Sequence, residues 1–200
     1  AEQRWNWDLI YCELYAGGKY DNNDGNAAYE FSLGLNGLGL CSTQFASEYM
    51  EAEIHTGGFC YKLNFRKGEN VGGLIKEPYD KKDTGTRIRW KPDLDVFTEI
   101  DIPLEYYQTV LKKQAVVNNG VRFILKNQLT ESRFETYEYR YENGIVDYLS
   151  EIVDNKNITP IQHWSCEKSG KDREDKPEYK VKIFAALAFS DKISMKEYYH

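Results

Sequence analysis

The chain has 200 residues, of which 41% are hydrophobic, so it can bury a substantial core in one large domain or two small ones. A charged fraction of 29%, and apolar runs well short of the roughly 18–20 residues that span a bilayer, argue against a membrane protein. The net charge of −6 argues against a surface that binds DNA throughout, although it allows a local basic patch.

The cysteines and histidines predict neither a metal site nor a disulfide framework. The four cysteines include no C-x-x-C pair, and the three histidines stand far apart without ligand spacing. Free thiols are therefore expected, as in a reducing cytoplasm. The first residues also lack the apolar stretch of a secretion signal, which favours a cytoplasmic location.

The first half of the chain alternates short elements with glycine-rich loops. Aromatic and aliphatic residues at 5–15 predict a buried strand or a short helix. Apolar residues at helical spacing predict a helix over 38–49, directly after a glycine cluster. Alternating residues over 50–65 predict a hairpin that turns at 56–58. A further strand is predicted at 87–91.

A domain boundary is expected near residues 93–101, and the remainder is predicted to be α+β. Helices are expected to begin at Pro103 and near Ile145. The predicted strands are 121–125, 133–141, 162–168 and 178–189. This order predicts a domain in which helices cover one face of a sheet.

The glycine cluster GLNGLG at residues 34–39 has the form of a phosphate-binding loop. Glycines let backbone N–H groups approach an anion closely, and a helix that follows adds the positive end of its dipole. A glycine-rich turn before a helix also occurs as plain punctuation, so the residues alone leave both interpretations open. The P-loop and dinucleotide-binding patterns are both absent.

Five segments, in order, resemble motifs of one protein family. Residues 14–20 (LYAGGKY) and 33–39 (LGLNGLG) resemble L-H-A-G-G-K-F and G-G-L-H-G-V-G. Residues 83–93 resemble a T-G-T strand that ends in proline, 119–125 an N-x-G-V-x-I-x-L strand, and 141–149 a Y-E-G-G-I-x-x-F-V segment. The family is that of the ATPase subunits of bacterial type II DNA topoisomerases, which comprises gyrase B and its topoisomerase IV counterpart.

The resemblance implies an α+β fold in two parts. Residues 1–95 would be the C-terminal half of a GHKL (Bergerat) ATPase domain with its ATP lid. Residues 96–200 would be most of a transducer domain similar to domain 2 of ribosomal protein S5, incomplete at its C-terminus. The implied function is a part of an ATP-dependent type II topoisomerase, in which the lid contacts ATP and the transducer couples ATP binding to DNA strand passage.

The resemblance also implies partners. These are ATP with Mg²⁺, duplex DNA, the breakage-reunion subunit and a second copy bound through the ATPase region, in the bacterial cytoplasm at the nucleoid, with no membrane. Because half of the ATPase sheet would lie outside this sequence, an exposed apolar face or strand edge is expected to promote dimerisation or segment exchange.

Motif positions assign nucleotide contacts to eight residues. They are Lys19, Tyr29, Gly34, Asn36, Gly37, Leu38, Gly39 and Thr86. By the resemblance, the backbone N–H groups of residues 37–39 bind the triphosphate, Lys19 lies near the phosphates and Tyr29 contacts the nucleotide. The plainer alternatives are a solvated Lys19 and a Tyr29 that packs against the hairpin.

Other positions qualify the match. Thr86 aligns with a threonine that contacts adenine through water, and its alternative is an ordinary strand residue. Asn36 and Tyr15 replace family histidines, and Leu33 replaces the first glycine of the loop. The asparagine can still donate a hydrogen bond to a phosphate, whereas Leu33 restricts the loop, so the chain is expected to be a divergent family member.

No catalytic and no metal-binding residue is assigned in this sequence. In the family, the water-activating glutamate, the Mg²⁺-binding asparagine and the adenine-reading aspartate precede the lid, and the transducer lysine follows the segment present here. This chain alone is therefore expected not to hydrolyse ATP. The aromatic content of 14% leaves one alternative open, a non-enzymatic, aromatic-rich module that binds a protein or another ligand.

Overall fold

The computed structural model describes residues 4–16, 37–154, 156–171, 173–175 and 178–191. The chain divides into two compact units, the first ending at Asp101 and the second beginning at Ile102. Each unit has its own sheets and helices. The assignment of the parts as an ATPase half-domain and a transducer stays a prediction. None of the helices in these ranges is long and apolar enough to span a bilayer.

The first unit is a five-stranded antiparallel sheet with two short helices. The helices are α1 (Asn6–Cys12) and α2 (Gly39–Phe45), and the strands are β1 (Ser47–Thr56), β2 (Phe59–Arg66), β3 (Glu69–Asn70), β4 (Ile75–Pro78) and β5 (Gly85–Pro92). The strand order is β3-β2-β1-β5, and β4 also pairs with β2. The segment at 5–15, predicted as a buried strand or a short helix, contains the short helix α1.

The core of this unit forms where α1 covers one face of the central strands. Side chains alternate between the two faces of a strand. Met50 and Ala52 of β1 are 0% and 3% exposed, and they face the core together with their cross-strand partners Phe65 and Leu63. The ring of Tyr11 stacks on Phe65 with centroids 5.4 Å apart. Aromatic contact therefore holds α1 on the sheet.

The helix predicted over 38–49 is shorter than its pattern suggested. It ends at Phe45, and Tyr49 belongs to β1, where it pairs with Lys91 of β5. The Arg66 guanidinium lies 4.9 Å from the centre of the Tyr49 ring. Backbone pairing with a neighbouring strand overrides the helical spacing of these apolar residues, because each pairing satisfies backbone N–H and C=O groups.

The hairpin and the later strand of this unit are confirmed. Strands β1 and β2 pair from Tyr49 with Arg66 to Thr56 with Phe59, around the predicted turn. The strand predicted at 87–91 extends from Gly85 to Pro92 and pairs with β1. Strand β4 was not predicted, since its exposed sequence IKEP carries no alternation of apolar and polar residues.

The second unit contains two helices and four strands. They are α3 (Leu104–Val117), β6 (Phe123–Gln128), β7 (Phe134–Tyr139), α4 (Ile145–Val153), β8 (Gln162–Gly170) and β9 (Tyr179–Leu187). Helix α3 packs against β6 and β7, and α4 packs against β9 and α3. Within the described ranges the strands form two separate two-stranded sheets, whereas the sequence predicted a single covered sheet.

The end of α3 and the start of α4 meet at a glycine. Gly144 has φ 55° and ψ −120°, a conformation that favours glycine. A Cβ added to Gly144 would lie 2.2 Å from the Asn119 side-chain oxygen and 2.8 Å from the Val116 carbonyl oxygen. Gly120 donates its backbone N–H to the Tyr141 carbonyl at 2.9 Å. Two sequence motifs, at 119–125 and 141–149, therefore pack against each other.

Replacing Gly144 with alanine is expected to destabilise the second unit by about 3 kcal/mol or more, because strain adds to a steric clash. The matched control is Gly120→Ala. Gly120 also has positive φ, but its added Cβ would lie 3.4 Å from only one side-chain atom, so a loss of about 1 kcal/mol is expected. Denaturant unfolding of both variants measures the difference, and equal losses would contradict the close packing.

A second set of contacts in this unit centres on Glu151 of α4. The carboxylate accepts hydrogen bonds from the Tyr141 hydroxyl at 2.6 Å and from the Lys112 ammonium of α3. Burial would raise the pKa of Glu151, but the bonds from Lys112 and Tyr141 outweigh it and lower that pKa. The pKa of Tyr141 is raised, first by burial and then by its bond to Glu151.

A lowered carboxyl pKa stabilises the folded state above the ordinary pKa of 4.5, and this contribution is lost as the pH falls through the folded value. Glu151→Gln is therefore expected to cost about 1 kcal/mol at pH 7, a small figure because the side chain is 51% exposed. The difference should shrink below pH 4.5. The free energy of unfolding, measured from pH 3 to 7, tests this. The control is Glu138→Gln, because Glu138 is exposed and its ion pair is longer.

Candidate phosphate-binding segment

Residues 37–39 form the entry to helix α2. Gly37 has φ 59°, in the left-handed region that glycine adopts without strain. Leu38 is the N-cap residue, and its carbonyl accepts the Ser42 N–H at 2.9 Å. No side chain in the described part of the chain caps the helix. The first N–H groups of a helix have no partner within it, and they carry the positive end of its dipole. This helix start is therefore suited to bind an anion.

The helix start is accessible. Gly37 and Gly39 are exposed, and Leu38 is half-buried. Among the described residues, a Cβ added at Gly39 would meet no atom within 4 Å. None of these residues therefore blocks the approach of a ligand at this position.

The rest of α2 is anchored on the first unit. Cys41 and Gln44 are 1% and 0% exposed, and the helix packs against α1 and β1. Burial raises the pKa of the Cys41 thiol, so this cysteine remains a protonated packing residue. The Thr43 hydroxyl donates to the Gly39 carbonyl at 2.8 Å. The glycine segment is thus an exposed end on a fixed helix.

Gln44 is a residue that the sequence did not single out. Its amide nitrogen and oxygen are both buried, and neither has a hydrogen-bond partner in the described part of the chain. The indole nitrogen of Trp7 in α1 is also buried and has no hydrogen-bond partner among the described residues. Buried polar atoms without partners are costly. A glutamine three residues after Cys41 on the apolar helix face is the signal that could have revealed it.

Thr86 lies on β5, away from the start of α2. Thr86 pairs with Ile54 of the ten-residue strand β1. Helix α2 joins β1 at Ser47, and Ile54 lies near the opposite end, roughly 25 Å along the strand. Thr86 lies on the core side of the sheet. Its partner Ile54 is two residues from the buried Ala52 and therefore points to the same side, whereas His55 points to the other. The structure therefore does not bring Thr86 into contact with residues 37–39.

The core side of β5 is open. Ile88 and Trp90 pair with the buried Ala52 and Met50 but are themselves 38% and 44% exposed. In the sheet order of the described strands, β5 is an edge strand. An apolar face and a strand edge are thus exposed, as the sequence predicted. Thr86 borders this open face.

The other predicted contacts lie outside the described residues. They are Lys19, Tyr29, Gly34 and Asn36. The four that are described, Gly37, Leu38, Gly39 and Thr86, offer backbone N–H groups and a hydroxyl. Groups of this kind supply hydrogen bonds to a ligand, so the chemistry they support is binding.

Known proteins resemble the chain over most of its length, although no protein-family model matches it. The B subunit of DNA topoisomerase 4 from Staphylococcus aureus strain Mu50 is 31% identical over 190 residues, which is 94% of this chain and 26% of that protein. The corresponding protein from Salmonella typhimurium strain LT2 is 32% identical over 154 residues, 76% of this chain and 23% of that protein.

Gyrase relatives give the same result. The B subunit of DNA gyrase from Spiroplasma citri is 31% identical over 156 residues, 77% of this chain and 23% of that protein. Among solved structures, the 43K ATPase domain of Thermus thermophilus gyrase B, in complex with an aminocoumarin, matches with a TM-score of 0.55 and 17% identity. That match covers 69% of this chain and 37% of the other. The α+β fold is therefore that of the gyrase B ATPase domain over the matched part.

The chain spans about a quarter of the length of these curated relatives. The relatives are of two kinds, the B subunits of topoisomerase 4 and of gyrase, and both match at nearly equal identity. Over most of its own length, the chain belongs to the family of B subunits of bacterial type II DNA topoisomerases.

Proposed function

We propose that this chain is part of an ATP-dependent type II DNA topoisomerase and that residues 37–39 bind the phosphates of ATP. The observation that carries the proposal is the similarity to the B subunits of topoisomerase 4 and gyrase over most of the chain, and the exposed start of α2 behind the left-handed Gly37 is consistent with it. A helix start of this kind suits an anion such as a triphosphate, because its first backbone N–H groups have no partner within the helix. The solved structure that matches the fold is an ATPase domain, which supports the same proposal.

Thr86 is the proposed contact to the adenine end of the nucleotide. It is exposed and borders the open core side of β5, where an apolar base has Ile88 beside it. Lys19, Tyr29, Gly34 and Asn36 are proposed to complete the site, with the lysine near the phosphates.

No Mg²⁺ ligand is assigned to this chain. The ion would accompany the ATP phosphates, whose charge it neutralises. The phosphate contacts assigned here are backbone N–H groups, which bind anions and repel cations. The part of this chain in the reaction is therefore the binding and closure of the site around the nucleotide.

The second unit is the proposed transducer. In this proposal, ATP binding shifts the protein between two conformations, and the second unit relays that change to passage of one DNA duplex through another. The partners are duplex DNA, the breakage-reunion subunit and a second copy of the protein, in the cytoplasm at the nucleoid. Within this unit, Lys112 of α3 donates a hydrogen bond to the Glu151 carboxylate of α4, which joins the two helices.

Gly39→Glu tests the phosphate contact. Among the described residues, a Cβ at this position meets no atom within 4 Å, and the negative charge of glutamate suits a helix start, so the fold should be kept. The carboxylate would repel the nucleotide phosphates. We expect the affinity of the full-length protein for a non-hydrolysable ATP analogue, measured by calorimetry, to fall by about tenfold or more.

The matched control is Gly39→Gln, which has the same size without the charge, and its affinity should stay within about threefold of the parent. Equal losses in both variants would contradict an electrostatic contact at this helix start. Strand passage of supercoiled DNA, assayed with the breakage-reunion subunit, tests the function itself. A protein that neither binds the analogue nor supports strand passage would instead be the non-enzymatic binding module.

Self-association is expected through the exposed edge of the first unit. Trp90 on β5 is 44% exposed, and β5 is an edge strand among the strands that the structure describes, so burial against a second copy would remove both from water. Trp90→Glu should shift the protein toward monomer in sedimentation equilibrium. Trp164→Glu, at a 54% exposed tryptophan of β8, is the control and should leave the equilibrium unchanged. A parent that is monomeric at high concentration would contradict the expectation.

A further inference from the structure

Three potential metal ligands share the side of the first sheet that faces away from the core. His55 of β1 pairs directly with Cys60 of β2 in the hairpin register. Glu53 precedes His55 by two residues and therefore points to the same side. The core side carries Ala52 and its neighbours, so the three polar residues form a cluster of their own.

The ligand atoms of this cluster lie close together. The Glu53 carboxylate oxygen Oε1 is 3.1 Å from His55 Nε2. One potential ligand atom from each of Glu53, His55 and Cys60 lies within 4.8 Å of the other two. In a tetrahedral zinc site, bonds of about 2.0–2.3 Å place neighbouring donor atoms roughly 3.3–3.7 Å apart. A shift of about 1 Å in side chains would complete three corners of such a site.

Partial burial favours the cluster as a binding site. The Cys60 residue is 6% exposed and free of any disulfide, and the His55 and Glu53 side chains are 22% and 35% exposed. The ring of Tyr79 stacks on the imidazole with centroids 3.9 Å apart, which fixes its plane. Tyr79 is itself held by a hydrogen bond from its N–H to the Gly58 carbonyl at 2.9 Å.

One flank of the cluster is open to a fourth ligand. Gly85 of β5 pairs with His55 and has no side chain, and a Cβ added there would meet no atom of the described residues within 4 Å. On the other flank, Glu77 of β4 pairs with Cys60. The Glu77 carboxylate accepts a hydrogen bond from Lys62 at 2.6 Å. The open flank can therefore admit a water molecule.

We propose that Glu53, His55 and Cys60 bind a divalent transition-metal ion of the Zn²⁺ type, with water in the fourth position. A thiolate, an imidazole and a carboxylate together suit zinc and its borderline neighbours, whereas Mg²⁺ and Ca²⁺ prefer oxygen ligands alone. The thiol proton passes to solvent as the sulfur binds the ion. The ion crosslinks β1 to β2 beside the hairpin turn.

The nearby charges are mixed. Glu53 and Glu77 are acidic, while Lys62 and Arg87 are the cross-strand partners of Glu53 on either side. The Lys62 ammonium forms an ion pair with the Glu77 carboxylate at 2.6 Å. The alternative interpretation is an ion pair between Glu53 and His55 beside the buried Cys60 thiol, with no metal ion bound.

The site is separate from the proposed nucleotide contacts. Thr86 lies on the core side of the sheet with Ile54, and His55 lies on the opposite side. Metal binding and nucleotide binding can therefore fail independently. Variants in the cluster leave residues 37–39 unchanged.

Cobalt serves as the probe, since Co²⁺ replaces Zn²⁺ and reports its ligands in its absorption spectrum. Titration of the full chain, free of any affinity tag, is expected to reach one Co²⁺ per chain, with a thiolate-to-metal charge-transfer band and the strong visible bands of four-coordinate cobalt. Zn²⁺ should then abolish these bands. Spectra that keep only the weak bands of hydrated Co²⁺ would overturn the proposal.

Variants assign the ligands. Cys60→Ser should remove the charge-transfer band, and His55→Gln should weaken Co²⁺ binding on the order of tenfold or more. Cys166→Ser is the control, because Cys166 is exposed on β8 in the other unit, and it should retain the full spectrum. A band that survives Cys60→Ser or is lost in Cys166→Ser would overturn the assignment.

A second measurement covers the case in which Cys60→Ser does not fold. Zn²⁺ should raise the unfolding temperature of the parent protein, because an ion that binds the folded state stabilises it. The gain should be lost in His55→Gln, whose side chain is partly exposed and whose fold should be kept. An equal gain in the parent and in His55→Gln would overturn the proposal.

Discussion

The first unit depends on the antiparallel pairing of β1 with β2 on one side and β5 on the other. Because side chains alternate, this register decides which residues enter the core and which face away from it. Met50 and Ala52 meet Phe65 and Leu63 on the core side. A slip by one residue would exchange the two faces and place charged side chains under α1.

The same strand positions both proposed sites. Helix α2 leads into β1, so the packing of Cys41 and Gln44 fixes the helix while its glycine start stays exposed. At the other end, β1 carries His55, which meets Cys60 across the hairpin. The proposed adenine contact at Thr86 and the proposed metal site thus lie on one framework, but on opposite sides of the sheet.

Several features could be predicted from the sequence because they depend on neighbours in the chain. The hairpin turn at 56–58, the alternation in β1 and β2 and the helix after Pro103 follow from local backbone preference and periodicity. The five motifs also identified the family, since their order and spacing are properties of the chain. The end of α2 was missed because pairing of Tyr49 with Lys91 outweighs helical spacing.

The sequence by itself determined the family, the α+β class and the glycine-rich entry to a helix, all of which are written in adjacent residues. Only the tertiary structure decided that Asn119 lies against Gly144, that Gln44 is buried without a partner among the described residues, and that Glu53, His55 and Cys60 converge. The spacing of those three ligands along the chain matches no metal motif. The physical reason is that strand register and helix packing bring together residues that the chain order keeps apart.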